Sequence, residues 1–299
     1  MVTSDTSPTS IRTSLYAFKR DVSIEALAAI IGLAAILGIT FEDSYVDHSD
    51  DSMHKAFVPN DTINLLFGIP MLLVSSNKKL LLPGALAYHL YSSLTYVLAL
   101  RHNPNSIFFL HLAVLYIALE ELWSSCYDAL TMVRAADSTR AGASMSQLRW
   151  SGVVLMFWGS LFFLRAGVGL CFTEMGIRDE TESAIHVADL AIGPCWLLGG
   201  WRLYHRPHCP SQLVLGLSLL YQASTLFIGL ILLLLIRPWI LEDNKLERED
   251  ILVVSLMSLT VILPFVLVNS RTNHILEKPN YKRRSSDEES VGLAKSITM

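Results

Sequence analysis

Charge is what this chain has least of. Asp, Glu, Lys and Arg make up 17% of its 299 residues, against roughly 25% in an ordinary soluble domain. Hydrophobic residues reach 52%, and the mean hydropathy is +0.43. That balance excludes a disordered chain and disfavours a soluble two-domain enzyme. Cysteine is scarce too. Cys126, Cys171, Cys195 and Cys209 are the only ones, and none is paired at metal or redox spacing. A disulfide scaffold is excluded, and the thiols read as small packing residues. His205, His208 and Cys209 lie close together, but no fourth zinc ligand follows at familiar spacing. There is no internal repeat, nucleotide-binding loop or nucleophile elbow, and no D-D-x-x-D motif to hold magnesium on a diphosphate.

What is present is a series of long apolar runs. A membrane helix needs about 20 mostly apolar residues to cross a ~30 Å hydrocarbon core. Eight segments approach that length, near 23–41, 61–76, 80–100, 106–128, 150–173, 184–203, 212–236 and 251–269. The second is short and holds Gly68 and Pro70, which predicts a tilted, broken or re-entrant helix. The fold class expected is therefore all-α, a polytopic integral membrane protein of eight transmembrane helices. Residues 1–22 form a polar N-terminal segment, 23–270 the membrane domain and 271–299 a polar tail. The first segment is too long and polar for a signal-peptide leader, so span one reads as retained.

Basic residues orient the chain. With a cytoplasmic N-terminus, sixteen Lys and Arg fall in inside segments, six in outside loops, and Arg165 alone lies within a span. That asymmetry predicts both termini in the cytoplasm. The outer loop 42–60 is acidic, with Glu42, Asp43, Asp47, Asp50 and Asp51 beside His48 and His54. It reads as a solvated loop before a divalent-cation site. Asn60-Asp61-Thr62 is a glycosylation sequon that abuts the membrane, and is expected to stay unused.

Ionisable groups at membrane depth cost a few kcal/mol each, so each needs a reason. On a helix, Tyr116, Glu120, Trp123 and Tyr127 fall within about 60° of one another. Glu120 thus sits in an aromatic stripe, where apolar surroundings can hold a carboxyl protonated. Arg165 shares a face with Trp158 and Phe162, and must find a carboxylate, a ring or a substrate oxygen. His186, Asp189, Gly193, Trp196 and Gly200 share another stripe, and an Arg165–Asp189 pair is the simplest structural resolution. Span three offers Tyr88 and Tyr91 on one side and His89 and Tyr96 on another. Span two brings Asp61 and Asn64, and span seven Gln222. Span one, with its Ala28-x-x-x-Gly32 and Ala34-x-x-x-Gly38 spacings, reads as plain packing surface. Lipid offers these polar groups no partner, so they are expected to line an internal cavity.

Three functions fit such a cavity. One is an enzyme in which Glu120 or Asp189, with Asp61 and His186 as partners, protonates an epoxide or alkene, and aromatic faces hold the cation. Arg165, Tyr88, Tyr91, Tyr96, Tyr116, Trp123, Trp158, Asn64 and Gln222 would then bind substrate. The second is a proton-coupled transporter using the same groups. The third is a receptor or assembly factor with a structural ion pair. The expected partners are a bilayer and a lipophilic small molecule, not nucleic acid.

Three motifs carry a resemblance. They are Asp61-x-x-Asn64-Leu65-x-x-Gly68-x-Pro70, Gly84-x-x-x-Tyr88-x-x-Tyr91-x-x-x-x-Tyr96, and Asp189-x-x-x-x-Pro194 with Gly199-Gly200. Across roughly 61–270 the chain resembles the membrane-bound terpene cyclases of fungal meroterpenoid (ascofuranone-type) pathways. The resemblance implies cyclisation of an epoxidised, prenylated aromatic substrate in the endoplasmic reticulum membrane, with no metal or redox cofactor. Of the candidate acids, Asp61 and Asp189 lie in the matching motifs and Glu120 does not.

Overall fold

The computed structural model describes residues 8–41, 45, 52–135, 145–174, 180–207, 209–241 and 248–276. These are helical almost throughout. In chain order they form α1 (Pro8–Thr40), α2 (Ser52–Ile63), α3 (Ile69–Ser76), α4 (Leu82–Ala99), α5 (Ser106–Ala135), α6 (Met145–Glu174), α7 (Glu180–His205), α8 (Pro210–Leu241) and α9 (Arg248–Leu276). Every apolar run read from the sequence is a helix. The acidic residues Glu42, Asp43, Asp47, Asp50 and Asp51, with His48 and His208, lie outside the described residues. The polar tail beyond residue 276 does so too.

Among the described residues, six helical stretches are long and apolar enough to cross a membrane: Val22–Thr40, Lys55–Ser76, Ser106–Arg134, Met145–Phe172, Pro210–Ile240 and Ile251–Ser270. This is consistent with an integral membrane protein. Helices α4 and α7 fall outside that set. The reason is visible in α4, which buries Tyr88, His89, Ser92, Ser93, Thr95 and Tyr96. Surrounded by other helices, it meets protein polar groups where a lipid-facing helix meets only hydrocarbon.

The break anticipated in the second run is a π-helical turn over Asn64–Gly68, joining α2 to α3. Pro70 lies at the start of α3 and has no N–H for the carbonyl four residues back. A wider turn relieves that mismatch, and such turns often mark functional positions. The Gly68 carbonyl accepts a hydrogen bond from the His89 ring at 3.1 Å.

Helices α6 and α7 run antiparallel along a seam of glycines. A Cβ on Gly152 would stand 2.6 Å from the Gly200 carbonyl oxygen, and one on Gly159 would stand 2.7 Å from the Leu197 nitrogen. Further along, Gly169 leaves the space that the His186 ring fills. One apolar core joins α1, α3, α4 and α5 through Leu27, Ile31, Leu72, Leu86 and Val114. Another joins α6 to α9 through Trp158, Phe162, Trp196, Phe227 and Val261.

Candidate functional site

Two buried carboxylates stand on either side of one cavity. Asp61, near the end of α2, is fully buried. Its Oδ2 accepts from the Tyr45 hydroxyl at 2.5 Å and its Oδ1 from Tyr96 at 2.6 Å. The Asn60 amide donates to the Tyr96 oxygen at 2.9 Å. Tyr96 stacks on His111 of α5, with centroids 4.0 Å apart and planes 9° from parallel. His111 Nδ1 lies 3.1 Å from Ser93 Oγ, while its Nε2 has no hydrogen-bond partner among the described residues. Gly38 of α1 makes the centre possible, because a Cβ there would collide with the Asp61 carboxylate and the Tyr45 ring. Burial, and then the adjoining carboxylate, hold the Tyr45 phenol above its ordinary range, so it stays a donor. Tyr45→Phe should cost about 2 kcal/mol, the worth of a hydrogen bond to a charged group. An unchanged thermal unfolding midpoint would show that water replaces this hydroxyl.

Asp189 of α7 is the second centre, also fully buried. Its Oδ1 accepts from the Tyr91 hydroxyl of α4 at 2.8 Å, and its Oδ2 pairs with the Arg165 guanidinium of α6. Arg165 in turn lies over the Phe162 ring, 5.3 Å from its centroid. The Arg165 side chain is 55% exposed while its partner is wholly enclosed. The guanidinium therefore presents one side to a cavity and the other to the carboxylate.

That cavity is about 300 Å³ and lies between α2, α4, α6, α7 and α8. Its polar lining is Tyr88, Tyr91, Arg165 and Asn60, with Ser92 and Thr95. Its apolar lining includes Phe57, Phe162, Leu226, Leu230 and Leu233. The volume is at the low end of small-molecule sites, which run roughly 300–1,000 Å³. Tyr88 makes no side-chain hydrogen bond among the described residues, and its hydroxyl lies beside cavity-lining Gly229. Neither carboxylate lines the cavity itself. Asp189 reaches it through Tyr91 and Arg165; Asp61 is linked to it only through Tyr96, which itself lies outside the lining and accepts from cavity-lining Asn60.

The other candidates separate. Asn64 is buried beside Ser92, 3.5 Å from its hydroxyl, and does not line the cavity. Gln222 accepts from the Trp196 indole at 3.2 Å and donates to the Ala87 carbonyl at 2.8 Å, tying α4, α7 and α8 together. Trp158 donates to Thr260 at 3.0 Å and packs on Phe227, a structural position. His186 is buried one turn before Asp189 and against Gly169, outside the cavity wall.

The α5 stripe faces the other way. Tyr116, Trp123 and Tyr127 are 71%, 83% and 65% exposed, and Glu120 is exposed with them. The inward seam of α5 is Val114, Ala118, Glu121, Ser125 and Ala129. Small residues let helices approach, so the packing selects the Ala and Ser face and turns the large rings outward. Glu120, Tyr116 and Trp123 are thereby removed from the cavity, and Glu121 is the buried member of the pair. The reading of α1 is also corrected, since Gly38 makes room for Asp61.

Two residues of the site went unnoticed in the sequence. His111 is an ionisable residue inside a span, a signal that was there to read. Tyr45 lies between α1 and α2, and nothing local in the sequence marks it. Among the described residues, no three His, Cys, Asp or Glu side chains converge as metal ligands. All four cysteines are free thiols, with Cys171 and Cys195 exposed. Comparison with protein families, with characterised proteins and with solved structures gives no match, so any assignment must come from the cavity and its two carboxylates.

Proposed function

We propose that the protein is a membrane-embedded terpenoid cyclase acting on an epoxidised prenyl chain carried by an aromatic head. The observation that carries this reading is the mixed lining of the cavity. Aromatic and leucine side chains stand beside two phenols and a guanidinium anchored on buried Asp189. We further assign eight membrane crossings, α2 and α3 together forming one, with both termini cytoplasmic in the endoplasmic reticulum membrane. The distribution of Lys and Arg supports that orientation.

The chemistry balances within these residues. The free Tyr88 hydroxyl gives its proton to the epoxide oxygen as the C–O bond breaks. The chain alkenes then close in turn, with the cation facing the Phe57 and Phe162 rings. The final cation loses a proton to the Tyr91 oxygen while Tyr91 passes its own proton to Asp189. Return of that proton through Tyr91 to Tyr88 resets the site, and the product is an isomer of the substrate. Arg165 steadies the negative charge on Asp189.

Purified protein in detergent would be incubated with an epoxyfarnesyl-phenol and the products analysed by mass spectrometry and NMR. Cyclised product of unchanged mass is expected. Tyr88→Phe and Tyr91→Phe should each lower turnover about 10²-fold or more, as loss of a general acid or base does. Glu120→Gln, on the outward face, should turn over at close to the wild-type rate. A proton-coupled transporter is the second reading, favoured by the break in α2–α3 beside buried Asp61. Flux driven by a pH gradient in liposomes, with no turnover of any epoxide or polyene, would select it instead.

A further inference from the structure

Asn60 lies where the cavity meets the Asp61 centre. Helix α2 turns Ala56, Phe57 and Asn60, one turn apart, towards the cavity. Val58, Pro59 and Asp61 are buried on its other sides, and Asn60 is partly exposed on the cavity face. Its amide nitrogen donates to the Tyr96 oxygen at 2.9 Å, and its Oδ1 has no hydrogen-bond partner among the described residues. That oxygen is open, whereas the unpartnered Oδ1 of Asn64 is sealed within the bundle.

Tyr96 decides which end of that amide is left over. A phenol has one proton to give. Tyr96 gives it to Asp61 Oδ1 at 2.6 Å, with the Phe57 carbonyl as a longer second acceptor at 3.4 Å. The phenol oxygen is left to accept, so Asn60 meets it with N–H and turns its carbonyl oxygen away. The arrangement is held firmly, since Tyr45 occupies the other Asp61 oxygen, Tyr96 is fully buried, and its ring stacks on His111. The rest of the polar lining offers hydroxyls and a guanidinium. The Tyr88 hydroxyl is unbonded among the described residues, and Tyr91 and Arg165 are turned to Asp189. Thr95 donates to the Tyr91 carbonyl, and Ser92 receives the Asn64 amide. Among these lining residues Asn60 alone supplies a side-chain carbonyl.

We propose that Asn60 is a specificity-determining residue whose carbonyl oxygen accepts a hydrogen bond from a hydroxyl of the bound ligand, with Tyr96 and Asp61 as positioning residues. This rests on the reading of the cavity as the substrate site, and selects within that class an aromatic head bearing a free phenolic hydroxyl. A methyl ether in the same place would set one acceptor against another. An acceptor fixed in advance by buried partners cannot swing round to suit the ether, so a single hydrogen bond discriminates.

The test measures equilibrium binding of a tritiated farnesylphenol without the epoxide, and of its methyl ether, to full-length protein in detergent. Wild type should bind the phenol about tenfold more tightly, as one well-made hydrogen bond allows. Asn60→Leu should bring the two to parity by weakening the phenol alone. Tyr96→Phe frees the amide to rotate, so the preference should fall to about threefold or less, with the ether bound no worse. A merely structural loss would weaken both ligands alike. Size-exclusion profiles like wild type would show that the variants fold, and Asn60→Leu decides alone if Tyr96→Phe does not. Equal binding of phenol and ether by wild type, or a preference that survives Asn60→Leu, would overturn the proposal. Phenol-selective binding lost in Asn60→Leu, with no cyclisation of the epoxide, would overturn the cyclase and uphold the role of Asn60. Cyclisation of the epoxidised phenol and ether with equal kcat/KM would do the reverse.

Discussion

Arg165→Leu destabilises the protein by about 3 kcal/mol, and adding Asp189→Leu restores at least half of that loss. Breaking a buried pair by removing one partner costs about 3–5 kcal/mol, because it strands the other charge. The asymmetry of this pair sets where in that range the value falls. The Arg165 side chain is 55% exposed and Asp189 is fully buried, so the stranded group has no route to solvent. The guanidinium is partly solvated already, which places the loss at the low end. With both residues changed to leucine, no charge remains to be buried and the space stays filled. Tyr91 supplies a further check. In the Arg165→Leu background its hydroxyl is the remaining hydrogen bond to Asp189, so Tyr91→Phe costs more there than in the wild type. Thermal unfolding in one detergent across the four-variant cycle, and then with Tyr91→Phe, measures both couplings. Additive losses for Arg165→Leu and Asp189→Leu would mean that the contact contributes nothing.

The Arg165–Asp189 pair was legible because a charge inside a span must be met, and few residues can meet it. The same logic reached Asp61, Tyr88 and Tyr91, whose placements follow from helix periodicity on a helix enclosed by others. It failed at Glu120. Periodicity there identified a real stripe of Tyr116, Trp123 and Tyr127 but could not say which side of α5 it lay on. Packing decided that, through the small residues Ala118, Ser125 and Ala129 on the adjacent face. A carboxylate one residue along the chain, Glu121, turned inward instead. The Asp61 centre was half legible for a different reason. Its carboxylate was evident, but its partners come from the loop after α1, from α4 and from α5. Contacts between residues so distant in sequence leave no local pattern. Gly38 shows the same limit, for nothing in α1 announces that its missing side chain accommodates an aspartate of α2.

Glycine also governs the approach of α6 to α7, and here the largest loss of stability is expected. At Gly152 and Gly200 each added Cβ would stand 2.6 Å from the carbonyl oxygen of the other glycine. At Gly159 and Gly193 the nearest atoms include the Leu197 nitrogen and the Gly159 carbonyl oxygen, at 2.7 and 3.0 Å. These obstacles are mostly backbone, and backbone cannot step aside like a leucine tip. The two helices would have to separate, and with them the Arg165 and Asp189 side chains that they hold together. Overpacking a core typically costs about 1–3 kcal/mol, and a clash with backbone on both helices belongs at or above that range. Gly152→Val and Gly200→Val should therefore give little monodisperse protein, and Gly200→Ala a clearly lowered unfolding midpoint. Gly167 provides the control on the same helix, because nothing lies within 4 Å of an added Cβ there. Gly167→Ala should stabilise by about 0.5–1 kcal/mol, since alanine loses less backbone entropy than glycine in a helix. Opposite signs at Gly167 and Gly200 would separate close helix approach from helix propensity as the reason for glycine in this seam. A Gly200→Ala protein as stable as wild type would mean that α6 and α7 do not meet through their backbones.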